Sequence, residues 1–467
     1  MRITAFRPRA CCESPACNHG TYAKGDRERR WRALKIFVAL FAFVCFSIVT
    51  PLVLSSEPSQ AVAATAQKAD SSSLLNQADQ ILQEMSRITG LPIKAPVKKK
   101  VVSRAEVRKL LIHNLHADYT PQQIHVQEAT LRAFGLISKS FDLQKFLISF
   151  YTEQAAGFYD PHTKTMYIAD WIPPDMQKMV LAHELTHALQ DQNFNLEHYM
   201  QAVQKDDDAE AARQAVVEGY ATAAMFQSMI GTMPLSDLPN LDAVLEPLIR
   251  EKMAEFPVYS KAPFFFRLQA LFPYVQGSGF IEKGLRRGDW KSLNGLFTSP
   301  PTSTKAIFQP DIYFNHVKLP EIRLPQKNPL SSVRGLKMLD ENTMGELGFD
   351  ALLGQFLSED AAKTASSNWM GDRYIVYEDR AAQSYALIAR TRWASPEAAL
   401  TFFRDYHTIL TQKYPELSPD PRSTLERFIG HASSGEVIML DMGDEVRWAE
   451  GVPADKVDAM TKWLASL

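Results

Sequence analysis

The chain has 467 residues, of which 46% are hydrophobic and 22% are charged. These proportions are ordinary for a globular protein with a hydrophobic core, and the length exceeds one average domain, so two or more folded units are expected. The formal net charge is only −2 at pH 7. No overall basic field therefore indicates a nucleic-acid partner.

The first 66 residues have the composition of a targeting leader. Residues 1–35 contain nine Lys or Arg against three acidic residues, an apolar run follows at 36–54, and small residues stand at 61–66. This order is typical of a secretory signal, and the run is also nearly long enough to span a bilayer. A buried core helix is the weaker alternative. We expect a periplasmic or otherwise extracytoplasmic protein, either released by cleavage or anchored in the membrane by residues 36–54.

All four cysteines lie in this leader, at Cys11, Cys12, Cys17 and Cys45. The rest of the chain therefore forms no disulfide and offers no thiol nucleophile. The first three cysteines and the nearby His19 have irregular spacing, so a chance grouping is favoured over a zinc cluster.

Two folded units are predicted after the leader, a larger one at 70–320 and a smaller one at 330–467. Hydrophobic spacing in the first unit predicts helices, except at 157–170, where a strand, a turn and a strand are expected. Two long helices should follow this hairpin, one from about Pro174 and one at 209–230. Later in the unit, breaks are expected at Gly277-Ser278-Gly279 and Pro300-Pro301.

The pattern changes in the C-terminal unit. Strands are expected at 373–377, 384–393, 437–440 and 445–449, and helices at 395–412 and 454–467. This β-β-α-β-β-α order predicts a small α+β domain. The fold class of the chain is therefore predicted as α+β, with a mostly helical first domain that contains a small β-sheet.

The sequence His183-Glu184-Leu185-Thr186-His187 lies within the first of the two long helices. Histidines four residues apart project from one helix face, which suits two ligands of a tetrahedral Zn²⁺. Glu184 can then act as the general base that takes a proton from a zinc-bound water. This is the H-E-x-x-H signature of zinc hydrolases, and two unrelated helical histidines are the weaker alternative.

Zinc in such a site needs a third protein ligand beside an open position. An extended motif with a third histidine is excluded, because Gln190 and Asn193 stand where Gly and His would be needed. Glu218 lies 31 residues beyond His187 in a segment rich in Val and Ala. A carboxylate there is costly unless it is paired or bound to metal, so Glu218 is predicted as the third ligand.

Two reserve ligands and one glycine accompany this assignment. Glu210 and His198 have polar neighbours and fit better as surface residues. Gly219 follows Glu218 directly, and its missing side chain should allow a close approach to the helix with the two histidines.

These residues carry a resemblance to known zinc peptidases. H-E-x-x-H with a downstream Glu-Gly resembles the gluzincin group, and the chain is similar to a family of uncharacterised bacterial exported zincin-like proteins. The similar segments are 153–160, 181–191, 217–221, 300–304, 369–374 and 391–393. The resemblance covers most of 70–467. It implies a zincin-like metallopeptidase domain at 70–320, with Zn²⁺ held by His183, His187 and Glu218.

The chain departs from these patterns at two positions. Gluzincins commonly carry an Asp four residues after the ligand Glu, as a hydrogen-bond partner for a ligand His, and this position is Thr222. Asp191, one turn beyond His187, is the candidate to replace it. In the second departure, the family's His-Pro after the segment at 300–304 is replaced by Gln309-Pro310.

Further candidates come from the chemistry of peptide hydrolysis. A hydrogen-bond donor must stabilise the developing oxyanion, and Tyr220 and Tyr274 are candidates, weighed against ordinary core tyrosines. The strand Met166-Tyr167-Ile168 could pair with an extended substrate, or could belong to an ordinary hairpin. The segment at 369–374 is expected to form a turn over the C-terminal core rather than to bind a partner.

Together these patterns predict an exported zinc-dependent peptidase that acts on a protein or peptide substrate. Two alternatives stay open. One is an exported zinc-binding scaffold or adaptor without catalysis, whose site would be closed by a fourth protein ligand. The other is a zinc hydrolase that cleaves other bonds.

Overall fold

A computed structural model describes residues 71–203 and 206–467. The predicted leader, with its apolar run and all four cysteines, lies outside the described residues. In the part of the chain that is described, no helix is long and apolar enough to cross a membrane. The cleaved signal peptide and the uncleaved membrane anchor therefore both remain predictions.

The first unit is mainly helical. Its elements in chain order are α1 (Ser71–Thr89), β1 (Lys98–Val102), α2 (Arg104–Asp118), α3 (Pro121–Ala133), α4 (Leu143–Gln154), β2 (Gly157–Asp160), β3 (Thr165–Ala169), α5 (Pro174–Phe194), α6 (Leu196–Gln201), α7 (Asp207–Ile230), α8 (Leu241–Ala254), α9 (Pro257–Ser260), α10 (Phe264–Leu285), α11 (Trp290–Leu293), α12 (Thr304–Phe308) and α13 (Pro310–Phe314).

Local sequence explains where several of these helices begin. The predicted capping box forms at α2, where the Ser103 side chain accepts from the Glu106 amide and Glu106 bonds back to Ser103. Pro173 is the N-cap of α5 and Pro174 is its first residue, a position where a missing amide hydrogen breaks no hydrogen bond within the helix. Asn195 ends α5 with a left-handed φ of 55°, and its side chain caps α6.

A three-stranded sheet lies beside α5, in the order β1-β3-β2. β1 runs parallel to β3, and β2 runs antiparallel to it. Of the two alternatives for Met166-Tyr167-Ile168, the hairpin is the one that forms, and pairing with a substrate is excluded because both sides of β3 are already occupied. β2 is the edge strand next to α5, opposite the edge strand β1, and a Cβ at Gly157 in β2 would overlap Val180 of α5 and contact Glu184.

Helix α7 packs against both α5 and α10. Where α7 meets α10, a Cβ at Gly219 would overlap the Gly277 carbonyl, and a Cβ at Gly277 would overlap the Ala215 carbonyl oxygen. The predicted break at Gly277-Ser278-Gly279 is wrong, because α10 continues through it. Gly219 does allow a close helix approach, but to α10 rather than to the helix with the two histidines.

The C-terminal unit contains a seven-stranded antiparallel sheet and four helices. Its elements are β4 (Leu336–Asn342), α14 (Gly345–Phe356), α15 (Glu359–Ser366), β5 (Trp369–Asp379), β6 (Ser384–Trp393), α16 (Pro396–Lys413), β7 (Ser418–Pro419), β8 (Arg427–Ala432), β9 (Gly435–Asp441), β10 (Glu445–Val452) and α17 (Val457–Ser466). The strand order is β4-β5-β6-β10-β9-β8-β7. One sheet face packs on a core that includes α16, and the other on a core that includes α17.

The predicted β-β-α-β-β-α order of this unit is incomplete, because β4, α14, α15, β7 and β8 were not expected. The predicted turn at 369–374 is also wrong: these residues begin β5, which pairs with β4 and β6. The carboxylate of Asp372 accepts hydrogen bonds from the amides of Met344 and Gly345 at 2.9 and 3.0 Å. It thereby fixes the start of α14.

The two units share one continuous hydrophobic core. At their junction the Thr304 amide donates to Asp208 Oδ1 at 2.8 Å, and the Thr304 hydroxyl bonds the same oxygen. The Leu347 amide of α14 donates to that hydroxyl at 3.1 Å. A mostly helical unit followed by a sheet-containing unit confirms the predicted α+β class, while the boundaries at 70–320 and 330–467 stay predictions.

Candidate metal centre

Helix α5 brings His183, Glu184 and His187 into the protein interior. The exposed fraction is 2% for His183 and 0% for Glu184 and His187. The two imidazoles lie on one helix face because they are four residues apart. Their ring centroids are 4.7 Å apart, with the ring planes almost perpendicular.

Glu218 reaches the same point from α7 and is also fully buried. Its Oε2 atom lies 3.2 Å from His183 Nε2 and 3.3 Å from His187 Nε2, and the two nitrogens are 3.0 Å apart. Three possible ligand atoms thus form a nearly equilateral triangle. The structure brings together the three residues that the sequence selected as ligands.

The triangle fits a zinc ion. Two ligand atoms that are each 2.0–2.1 Å from a tetrahedral Zn²⁺ lie about 3.3–3.4 Å apart, close to the edges described above. In addition, Glu218 Oε1 is buried without a hydrogen-bond partner among the described residues, which is costly for a carboxylate unless a cation balances it. Among the described residues this is the one group of three or more such side chains that could hold a metal ion, so the reserves Glu210 and His198 do not join it.

The charges of the ligands depend on one another. Burial opposes ionisation of Glu218, but the neighbouring His187 and His183 outweigh it and bring the pKa of Glu218 down to about 2. Burial also opposes a charge on His187, yet Glu218 and then Glu184 raise its pKa to about 9. For His183, burial prevails and lowers the pKa. Glu218 is therefore a carboxylate that attracts positive charge to this point.

Glu184 lies beside the triangle and is held by the edge strand. Its Oε2 accepts a 2.8 Å hydrogen bond from the backbone amide of Tyr159 in β2. Its Oε1 is buried and has no hydrogen-bond partner among the described residues. Burial is the main reason that the pKa of Glu184 rises to about 8, with Glu218 acting in the same direction and His187 opposing it.

The hydrogen-bond partner of His187 is Gln190, not Asp191 as predicted. Gln190 Oε1 lies 2.8 Å from His187 Nδ1. Asp191 instead accepts from the Tyr159 hydroxyl at 2.8 Å and from Lys164 Nζ at 2.6 Å. The prediction of Asp191 is corrected for a geometric reason. Gln190 and Asp191, three and four residues after His187, both lie near its helix face, but the carboxylate of Asp191 accepts from Tyr159 of β2 and from Lys164 instead.

The two candidate oxyanion donors have different positions. Tyr220 stands two residues after Glu218, which places it on nearly the opposite side of α7. Its hydroxyl donates to Asn294 Oδ1 at 2.8 Å, within a core that includes Trp290. Tyr274 of α10 is buried with its ring centroid 6.1 Å from that of His183. Of the two, Tyr274 is the one near the triangle.

The segment that resembled a downstream family motif serves the junction of the two units. Thr304 bonds Asp208, as described above, and the Gln309 side chain donates to the Ser367 carbonyl at 3.1 Å. The Leu347 amide of α14 donates to the Thr304 hydroxyl, and Ser367 directly follows α15, so this segment joins the first unit to the C-terminal unit. The departure from the family's His-Pro therefore lies at a structural joint.

Two contributors to the site were missed by the sequence reasoning. Gln190 was used only to exclude an extended zinc motif, and Tyr159 only as part of a family resemblance. A residue three positions after a ligand histidine shares its helix face, so spacing indicated Gln190 as well as Asp191 and could not choose between them. No sequence signal indicated the Tyr159 amide, because it is a main-chain group brought in by the sheet.

Comparison with known proteins gives two family matches. Residues 139–227 match the IrrE N-terminal-like domain, a family named as a peptidase, and residues 334–461 match a domain of unknown function, DUF8575. No curated protein and no solved structure matches the chain. The first match includes His183, His187 and Glu218, so this region is similar to a zinc metallopeptidase-like family. The gluzincin assignment stays a prediction.

Proposed function

We propose that this protein is an exported zinc-dependent peptidase that hydrolyses peptide bonds in protein or peptide substrates. His183, His187 and Glu218 would hold the zinc ion, and Glu184 would be the catalytic proton acceptor. The support comes from the triangle of ligand atoms and from the peptidase-named family that residues 139–227 match. Export is proposed from the basic and apolar leader.

A bound zinc ion would supply Lewis-acid chemistry and promote the ionisation of water at neutral pH. The protein contributes a positioned base. Glu184 Oε2 is held by the Tyr159 amide, which leaves Oε1 to take a proton from the attacking water and return it to the leaving amine. Burial raises the pKa of Glu184 above that of an exposed carboxylate, which makes its ionised form a stronger base toward the proton of the water. Tyr274 is the proposed hydrogen-bond donor for the substrate oxygen.

The observation that supports the proposal most strongly is the burial of Glu184 beside the three possible ligands. Glu184 is fully buried, stands beside three possible ligands, and has one oxygen without a partner among the described residues. A purely structural zinc site would not need a second buried acid beside Glu218, and burying it costs free energy. A catalytic zinc site does need such an acid, because its carboxylate is the general base.

The test compares the wild type with Glu184→Gln. Both purified proteins should bind one zinc ion per chain by elemental analysis, because Glu184 is not one of the three ligands. The variant should cleave casein or a peptide library at least about 100-fold more slowly. Glu210→Gln is the matched control and should leave both properties unchanged. Equal cleavage by wild type and Glu184→Gln would defeat the proposed role.

A second candidate function is a zinc-binding scaffold without catalysis. It is favoured by one observation, the nearly complete burial of all four side chains, with exposed fractions of 0–2%. A scaffold would bind zinc but cleave neither peptides nor esters, whereas a hydrolase of other bonds would cleave the esters alone. Measuring zinc binding, peptide cleavage and ester cleavage on the same purified proteins therefore distinguishes the three functions.

The proposed export has its own test. The full-length protein is expressed in a bacterial cell, and the cell fractions are analysed by intact mass. A periplasmic product that lacks about the first 63–66 residues indicates a cleaved signal. A full-length product in the membrane fraction indicates an anchor at 36–54, and a full-length cytoplasmic product would contradict export.

A further inference from the structure

We infer that Gln190 is a positioning residue for two of the three metal ligands: it orients the ring of His187 and ties that ligand's helix to the one that carries Glu218. The inference rests on the proposed zinc site. Gln190 and His187 are both fully buried. Gln190 Oε1 lies 2.8 Å from His187 Nδ1, and Gln190 Nε2 lies 3.0 Å from the Val217 carbonyl oxygen.

The second contact decides which way the amide points. The Val217 carbonyl can only accept a hydrogen bond, so the NH₂ group of Gln190 must face it. A flipped amide would place two acceptor oxygens 3.0 Å apart. Gln190 Oε1 therefore faces His187 Nδ1, which must carry the ring proton. In the neutral ring that would bind a metal, the lone pair of His187 is then on Nε2, the atom that lies in the ligand triangle.

The same side chain also couples two helices. Val217 directly precedes Glu218 on α7, while Gln190 is on α5 with both histidines. A displacement of α7 relative to α5 that moved Glu218 away from the imidazoles would therefore also stretch the hydrogen bond between Gln190 and the Val217 carbonyl. The distance between Glu218 and the histidines and the orientation of the His187 ring therefore both depend on the Gln190 amide.

The neutral amide also suits the charge of the site. Thr222, where gluzincins commonly carry an Asp, has a buried hydroxyl without a hydrogen-bond partner among the described residues. With an amide as the partner of His187, the acids nearest the triangle are Glu184 and Glu218. The amide thus provides an acceptor for His187 without adding a third carboxylate to these two.

The test measures zinc affinity by competition with a chromophoric chelator, independently of any cleavage. Gln190→Leu removes both hydrogen bonds and should weaken zinc binding about 10-fold to 100-fold. Gln190→Glu keeps an acceptor for His187 and should lose less than about tenfold, because part of the outer partner's effect is retained. Gln177→Leu is the matched control, since the buried Gln177 lies on the same helix and donates to the Ile172 carbonyl at 3.1 Å. It should lower thermal stability but not zinc affinity.

Each result has a defined meaning. A folded Gln190→Leu protein that binds zinc as tightly as the wild type overturns this inference alone. If that variant does not fold, the zinc-loaded wild type labelled with ¹⁵N-histidine decides the question by NMR: a proton on Nδ1 of His187 supports the inference, and a proton on Nε2 overturns it. A wild type that takes up no zinc overturns the proposed function and this inference together.

Discussion

The backbone amide of Tyr159 donates a 2.8 Å hydrogen bond to Glu184 Oε2, and the hydroxyl of the same residue donates a 2.8 Å hydrogen bond to Asp191 Oδ2. Glu184 and Asp191 are seven residues apart, which is two turns along one face of α5. The edge strand β2 is therefore fastened to this helix at two points. One of them fixes the proposed proton acceptor and the other lies away from the ligands.

Substitution of Tyr159 should separate these two contacts. Tyr159→Phe keeps the amide and removes the hydroxyl, so the free energy of unfolding should fall by about 1.5–3 kcal/mol, as for a hydrogen bond to a charged group. Urea denaturation measures this loss. Tyr199→Phe is the control and should lose less, because its hydroxyl meets the neutral Leu296 carbonyl at 3.4 Å. A Tyr159→Phe protein as inactive as Glu184→Gln would show that the hydroxyl has a catalytic role that we do not assign.

Loss of the third ligand should abolish the stabilisation by zinc. A ligand present at about 1,000 times its Kd stabilises a protein by about 4 kcal/mol, so zinc should raise the melting temperature of the wild type. Glu218→Gln should show little or no such rise, while Glu210→Gln, on the same helix, should respond like the wild type. Differential scanning fluorimetry with and without a chelator provides the measurement. A normal zinc response in Glu218→Gln would remove Glu218 from the ligand set.

The contact between α7 and α10 should not tolerate a side chain at Gly219. Gly219→Ala places a methyl group against the Gly277 backbone, so the helices must separate or the protein must unfold. The expected loss of unfolding free energy is about 3 kcal/mol or more, the upper range for overpacking. Gly295→Ala is the control, because a Cβ there has no neighbour within 4 Å among the described residues. Chemical denaturation of both variants checks the contrast, and equal stabilities would contradict it.

The junction of the two units should make stability depend on pH. Burial raises the pKa of Asp208 to about 6 and the pKa values of Asp372 and Glu346 to about 7. Because the folded pKa values exceed the unfolded ones, the native state binds more protons in this range. Their stabilising effect is complete below the unfolded pKa values of about 4 and is lost as the pH rises through 6 and 7.

We therefore expect the free energy of unfolding to fall between pH 5 and pH 8. Asp208→Asn removes one titrating group and keeps an oxygen for Thr304, so its stability should fall less steeply than that of the wild type. The expected difference in slope is at most about 1.4 kcal/mol per pH unit. Denaturation in the presence of a chelator at pH 5, 6, 7 and 8 measures it. Parallel curves for the two proteins would show that Asp208 does not titrate in this range.

Much of the local structure follows from neighbouring residues, and these predictions held. The capping box of Ser103 and Glu106, the hairpin before α5 and the helix carrying His183 and His187 depend on interactions within a few positions. Two wrong predictions, the turn at 369–374 and the helix break at 277–279, have a different cause, which is contact with segments far away in the chain. Residues 369–374 have turn-like composition, but β6 supplies strand partners along this segment, and β4 joins on the other side at Tyr374. Gly277 and Gly279 weaken a helix locally, yet close packing against α7 makes glycine at 277 necessary.

The sequence by itself determined the chemistry of this protein's candidate site: two imidazoles and a carboxylate on one helix turn, and a second carboxylate that burial would make costly. These follow from a helical period of 3.6 residues and from the price of burying a charge. Only the tertiary structure decided that Glu218 Oε2 completes the triangle, that Gln190 rather than Asp191 holds His187, and that the Tyr159 amide holds Glu184. These contacts join segments far apart in the chain, and their partners are chosen by the packing of whole helices and strands.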